Sequence, residues 1–157
     1  MKIIMLSIGK TSVDEMMDLF TVYEKRLANF INFEAKYISG LKNKNNLTPN
    51  LIKDLEGTQL LSYLVSSDFV CLLDEEGKEY TSKSFSDFLE TKMVSSVKRL
   101  VFVIGGAYGF SEEIYKRANS KICFSKMTFT HQMIRLFFIE QLYRSYTIIN
   151  NLPYHNE

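Results

Sequence analysis

The sequence predicts a single α/β domain over residues 1–157, with a mostly parallel sheet flanked by helices. Three observations carry this. Short β-rich runs alternate with segments of helical period along the chain. Two of the runs, Phe69 to Leu73 and Leu100 to Ile104, are continuously apolar, as strands covered on both faces must be. The 157 residues contain no repeat, low-complexity tract or linker, and suffice for one core without disulfide or metal staples.

The elements follow in order. Lys2 to Ile8 is a first strand. A helix comes next, with Ser12 as N-cap, Asp14 and Glu15 favourably placed in its first turn, and Lys25 and Arg26 near its end. Ile31 to Ile38 alternates through Ile31, Phe33, Ala35 and Tyr37 as a half-buried strand. Lys42 to Asn46 reads as a polar loop. Thr48 and Pro49 open a second helix as N-cap and first helical residue. Its apolar face is Leu51, Ile52, Leu55, Leu60, Leu61, Tyr63 and Leu64, with Gly57 a weak point inside it.

After the buried strand Phe69 to Leu73, Asp74 to Lys78 reads as a turn. Ser84 begins a third helix with Phe85, Phe88, Leu89 and Met93 inward. The strand Leu100 to Ile104 ends in Gly105-Gly106. Ser111 caps a short helix, Ile122 to Phe124 is a brief strand, and a long helix runs from about His131 to Ile149.

Composition sets limits on function. The net charge of +1 gives no electrostatic footprint for coating nucleic acid, so an RNA site must be local or assembled from more than one chain. No apolar run reaches the roughly 20 residues that cross a bilayer, so no membrane partner is expected. The apolar start of the chain is too short for a signal peptide and lacks a small-residue cleavage site, which predicts a cytoplasmic protein. Cys71 and Cys123 sit in apolar runs and read as buried free thiols. With only two distant histidines beside them, no metal site is predicted.

In parallel sheets, ligands bind beyond the carboxyl ends of strands. That selects the loop after Leu73, the loop Gly105 to Phe110 and the loop Ser125 to Thr130. Gly105-Gly106-Ala107-Tyr108-Gly109 matches neither the dinucleotide fingerprint nor the phosphate loop. The next helix begins Ser111-Glu112-Glu113, whose carboxylates satisfy the helix dipole and repel a polyanion. A cofactor without phosphates, such as S-adenosylmethionine, fits better than NAD or ATP.

The last helix is apolar around almost its whole circumference, from Met133 and Ile134 to Ile148 and Ile149, and is about 28 Å long. Either its own domain covers it on all sides, or one face packs on a second copy. Its length in so small a chain favours a symmetric homodimer. His131 and Arg135 share one face at its start, as a surface pair, a structural hydrogen bond or a functional pair.

The segment Phe124 to Arg135, continued by Glu140-Gln141-Leu142-Tyr143-Arg144 and ended by Tyr154-His155, resembles a known C-terminal signature. It is that of the ribosomal RNA large-subunit pseudouridine N3-methyltransferases, the methyltransferase H type of the SPOUT superfamily. Phe102 to Gly106 with Gly109, the Leu73-Asp74 to Gly77-Lys78 segment and the opening Lys2 to Lys10 fit the same family. One position departs: the proline that usually precedes the histidine is Thr130 here, a residue able to N-cap the long helix.

The resemblance implies a SPOUT-type α/β knot with a C-terminal trefoil, and a homodimer packed through it. It also implies S-adenosylmethionine held by Leu73, Gly105, Phe124, Ser125, Lys126, Met127, Thr128 and Phe129. The substrate it implies is 23S ribosomal RNA within the assembled ribosome, which would supply shape in place of charge. Pseudouridine N3 would attack the activated methyl, with S-adenosylhomocysteine leaving. Tyr154, His155 and Arg135 are the catalytic candidates, against the plain reading of His155 as a frayed tail residue. Lys126, His131, Arg135 and Arg144 are the RNA-binding candidates. The plain alternatives are a snorkelling lysine at 126 and a helix-surface pair of Arg144 with Glu140. Two other readings stay open: a knotted methyltransferase acting on transfer RNA, and a non-catalytic ribosome-binding protein of the same fold.

Overall fold

The computed structural model describes residues 1–10, 13–41 and 43–155. Five strands, β1 (Lys2–Ile8), β2 (Asn32–Ile38), β3 (Phe69–Glu79), β4 (Arg99–Ile104) and β5 (Ser120–Cys123), form one sheet in the order β2-β1-β4-β3-β5. Every neighbouring pair is parallel. The helices are α1 (Asp14–Leu27), α2 (Pro49–Tyr63), α3 (Ser82–Val94), α4 (Glu112–Arg117) and α5 (His131–Ile149).

Alternate side chains of each strand feed two cores. Ile3, Met5, Cys71, Leu100, Phe102 and Ile104 pack with Phe20 and Leu27 of α1, Phe85 and Leu89 of α3, and Phe138, Ile139 and Leu142 of α5. Ile4, Leu6, Val70, Leu72, Val101 and Val103 pack on the other face with Leu60 of α2 and Ile114 of α4. A stretch of strand covered on both faces must be apolar at every position, which is why Ile3–Leu6 of β1, Phe69–Leu73 of β3 and Leu100–Ile104 of β4 carry no polar alternation. β2, at the sheet edge, is only partly covered along its whole length.

Several sequence expectations are corrected. Asp74 to Lys78 is not a turn after a strand: β3 runs through to Glu79, with its register against β5 shifting between Leu73 and Lys78. The chains press so closely there that a Cβ on Gly77 would lie 2.5 Å from the Ile122 carbonyl carbon, so only glycine fits. Leu51 and Leu55 are exposed, and α2 buries Ile52, Glu56, Gly57 and Leu60 instead. Gly57 is a contact surface, since a Cβ there would strike Ser111 Oγ at 2.2 Å.

Met93 also faces out. The cap of α3 is Thr81, whose hydroxyl accepts from the Ser84 N–H in a reciprocal capping box. Ser84 is therefore the third residue of that helix. Ser111 stands at the N-cap of α4 without a side-chain capping bond. Within the segment read as a loop, Lys44–Asn46 forms a 3-10 turn. The expected N-cap of α1, Ser12, lies outside the described residues.

Helix α5 sits between α1 and α3 on one face of the sheet and buries Phe138, Ile139, Leu142, Ser145 and Tyr146 there. Its all-round apolarity is largely met within the chain. Phe137 is an exception; it stays exposed beside Phe129, their ring centroids 5.0 Å apart.

Candidate active site

The carboxyl ends of β3, β4 and β5 open into a cleft of about 850 Å³, the size range of small-molecule and cofactor sites. All three loops singled out from the sequence line it. Leu73, Gly105, Phe124, Ser125, Met127, Thr128 and Phe129 face the cleft. Lys126 does not; its ammonium donates to the Glu75 carbonyl at 2.8 Å and ties the Ser125–Thr130 segment to β3. Ser125 Oγ accepts from the Met127 N–H at 2.9 Å, and Gly109 N–H donates to the Gly106 carbonyl at 3.1 Å. Both bonds fold their loops back on themselves. Met127, Tyr108 and Phe129 leave large apolar surfaces exposed at the rim, as an open ligand site does.

The charge around the cleft is mostly negative. Asp54, Asp74, Glu75, Glu76 and Glu112 line it, opposed by the Lys53 ammonium, with the His131 imidazole beside them. Asp74 is fixed in orientation: Oδ2 accepts from the Tyr115 hydroxyl at 2.7 Å and Oδ1 from the Glu76 N–H at 2.8 Å. Burial and this bond to Asp74 raise the Tyr115 pKa, so the phenol keeps its proton. Burial, then repulsion from Arg135 and Lys44, lowers the His131 pKa and favours its neutral form. Such a lining repels phosphate groups and favours a cationic ligand.

The remaining candidates occupy different places. His131 is exposed at the cleft. Arg135, one turn on, is buried, and its Nη2 donates to the Ile8 carbonyl at 2.6 Å. Arg144 lies about 20 Å along α5 from His131, at 1.5 Å per residue. There it donates to Glu140 Oε1 through Nη2 at 2.6 Å and Nε at 3.1 Å, over the face of Tyr154 at 4.7 Å. The helix-surface pair of Arg144 with Glu140 read from the sequence is thus present.

Tyr154 packs edge-on against Tyr143 at 4.9 Å and donates to Glu140 at 3.1 Å, while the Nδ1 of His155 lies 3.4 Å from Arg144 Nη1. Tyr154 and His155 are docked rather than frayed. Neither Tyr154 nor His155 lines the cleft within one chain.

Sequence reasoning missed the contribution of α2. Asn50, Lys53 and Asp54 line the cleft. Their signal was only that of a polar helix face, which ordinarily means solvent. Tyr115 and its bond to Asp74 were missed as well, because the pair spans 41 positions. Cys71 and Cys123 are buried free thiols, as expected, and burial pushes Cys71 up to about 12. Among the described residues there is no group of three or more potential metal ligands, and no helix long and apolar enough to cross a membrane.

A doubly covered parallel sheet whose strand ends build this acidic, glycine-floored cleft defines a class. Residues 1–155 match the family model described as "Predicted SPOUT methyltransferase", and the chain belongs to that family. Within it, the chain is 54% identical over 156 residues, 99% of both chains, to a protein of Christiangramia forsetii named ribosomal RNA large subunit methyltransferase H. Proteins of the same name from Parabacteroides distasonis and Flavobacterium johnsoniae are 52% and 51% identical over the full length of both chains.

Proposed function

We propose that this chain transfers a methyl group from S-adenosylmethionine to N3 of a pseudouridine in 23S ribosomal RNA. It acts as a cytoplasmic homodimer on the assembled ribosome. The observation that carries the reading is the cleft itself, where seven of the eight residues expected to hold the cofactor converge on one cavity. The relatives' name supports large-subunit ribosomal RNA as the substrate.

The residues fit the proposed cofactor. Leu73, Phe124 and Phe129 give an apolar shelf for a purine, and Gly105 has no side chain to hold a ligand off the main chain. The carboxylates suit a positive sulfonium and disfavour a dinucleotide. When bound, the cofactor supplies a methyl group on a positively charged sulfur, a leaving group that needs no acid from the protein. The protein's part is alignment, with the pseudouridine N3 placed in line with the methyl and its proton released to a base or to water. Bringing two bound reactants into line is worth roughly 7–11 kcal/mol in favourable cases.

Tyr154, His155 and Arg144 form the second half of the site. They cluster around Glu140, away from the residues that line the cleft of the same chain. A homodimer that sets one chain's tail beside the partner's cleft unites the two halves. The exposed Phe129 and Phe137, beside a second groove of about 420 Å³, supply apolar surface for that contact. The knot expected of this family lies in the segment that carries β5 and α5. His131 lines the cleft where RNA would enter and Lys126, tied to Glu75, stands on the adjoining loop, whereas Arg135 acts from behind by fixing the start of α5.

Ribosomes from cells lacking the modification, incubated with the protein and S-adenosylmethionine, should yield N3-methylated pseudouridine on nucleoside mass analysis. Methyl transfer to transfer RNA alone would favour the knotted transfer-RNA enzymes. Ribosome binding without cofactor binding would favour a non-catalytic protein of this fold.

A further inference from the structure

The floor of the cleft rests on a buried carboxylate. Glu56 lies on α2 and is only 2% exposed. Its Oε1 accepts from the Lys44 ammonium at 2.5 Å, and among the described residues its Oε2 has no hydrogen-bond partner. That oxygen lies against Gly106, where an added Cβ would sit 2.1 Å from Oε2 and 3.0 Å from the carboxyl carbon. One residue on, Gly57 meets Ser111 in the same way, its virtual Cβ 2.2 Å from the hydroxyl oxygen. The Glu56-Gly57 step therefore presses on both ends of the loop that runs from Gly106 to Ser111. No cleft-lining atom belongs to Glu56 or Gly57 themselves.

We infer that Glu56, clamped by Lys44, is a positioning residue that sets the Gly105-Gly106 turn for the cofactor. The inference rests on the reading of the cleft as the S-adenosylmethionine site. A carboxylate on a flexible stem would normally yield to a neighbour. This one is enclosed by the protein and held by an ion pair, so its place is fixed and the turn must fit around it. The 3-10 turn at Lys44–Asn46, remote in sequence from the cleft loops, thereby becomes part of the site's framework. Lys44 and Glu56 also act in opposite senses on the imidazole of His131, which lines the cleft.

The test is calorimetric titration of S-adenosylmethionine into the full chain, paired with thermal unfolding. Gly106→Ala should weaken binding by about tenfold, because the new methyl collides with a clamped carboxylate. In the Glu56→Ala background the same change should cost less than about threefold, the collision having been removed. Lys44→Met, which alters only the half-exposed partner, should weaken binding severalfold and shift the amide resonances of residues 105–109. Variants that change only the melting temperature, or a Gly106→Ala effect equal in both backgrounds, would overturn the inference. Were the wild type silent to the cofactor, the functional reading would fall. The inference about the turn would then stand or fall on the 105–109 resonances in Lys44→Met.

Discussion

Arg135 and Ile8 stand 127 positions apart in sequence, yet the Arg135 guanidinium donates to the Ile8 carbonyl at 2.6 Å from a site only 1% exposed. Its face also lies 5.5 Å from the Tyr37 ring. One side chain thus joins the first turn of α5 to the ends of β1 and β2. The loop that precedes α5 carries the cofactor candidates Ser125 to Phe129, so this anchor sets where that loop ends.

Replacing Arg135 with Met should destabilise the chain by about 1–3 kcal/mol, the cost of a buried acceptor left without its donor. Arg135→Lys should recover only part of this, because an ammonium lacks the planar fork. Urea unfolding measures both. Wild-type stability in Arg135→Met together with lost methylation would instead make Arg135 a contact to RNA.

Deleting the chain from Tyr154 onward should abolish methylation and leave S-adenosylmethionine affinity nearly intact. Tyr154 and His155 pack on Tyr143, Glu140 and Arg144, and neither lines the cleft. Burial and its bonds to Tyr23 and Glu140 raise the Tyr154 pKa, so the phenol stays protonated through the neutral range. Tyr154→Phe should therefore lose the hydrogen bonds and keep the ring contact. Equal loss of binding and turnover on truncation would contradict this division.

Salt should weaken binding of S-adenosylmethionine more than that of S-adenosylhomocysteine. The donor carries one more positive charge than its product, and five carboxylates line the cleft against Lys53 and a largely neutral His131. Raising ionic strength shortens the Debye length from about 10 Å at 0.1 M to about 3 Å at 1 M, which screens that attraction. Parallel calorimetric titrations at the two salt levels check it. An identical salt response for both ligands would mean the carboxylates do not sense the sulfonium.

His131 should make stability fall on acidification. Its folded-state pKa is lowered, first by burial and then by Arg135 and Lys44, below the ordinary value near 6.5. In that window the unfolded chain binds more protons than the folded one. The contribution is therefore present above about pH 6.5 and is lost as pH falls through the folded pKa. His131→Asn should flatten this part of the stability profile; an unchanged profile would show that another group titrates there.

Much of this was readable from periodicity because the two-sided core demands it. The parallel sheet, the three cleft loops and the bounds of α5 follow from apolar runs, glycines and Thr130, whose hydroxyl accepts from the Met133 N–H at 3.3 Å. Asp74 to Lys78 misled, since polar residues with a glycine look like a turn; it is close approach to Ile122, not reversal, that demands Gly77. Glu56 could not be seen either. A glutamate beside a helix glycine is ordinarily a surface residue, and only the tertiary approach of Gly106 and Lys44 encloses it. For Arg135 the sequence left a surface pair, a structural hydrogen bond and a functional role open, and the fold selects the structural hydrogen bond. Its partner is a main-chain carbonyl at the far end of the chain, which leaves no mark in side-chain pattern.

The most direct test of the central claim is a titration of the isotope-labelled chain with S-adenosylmethionine, followed by amide resonances. Saturable shifts should concentrate at Leu73, Gly105 to Phe110 and Phe124 to His131, with ATP producing none there. Absence of binding, or shifts confined to surfaces away from those three strand ends, would contradict it.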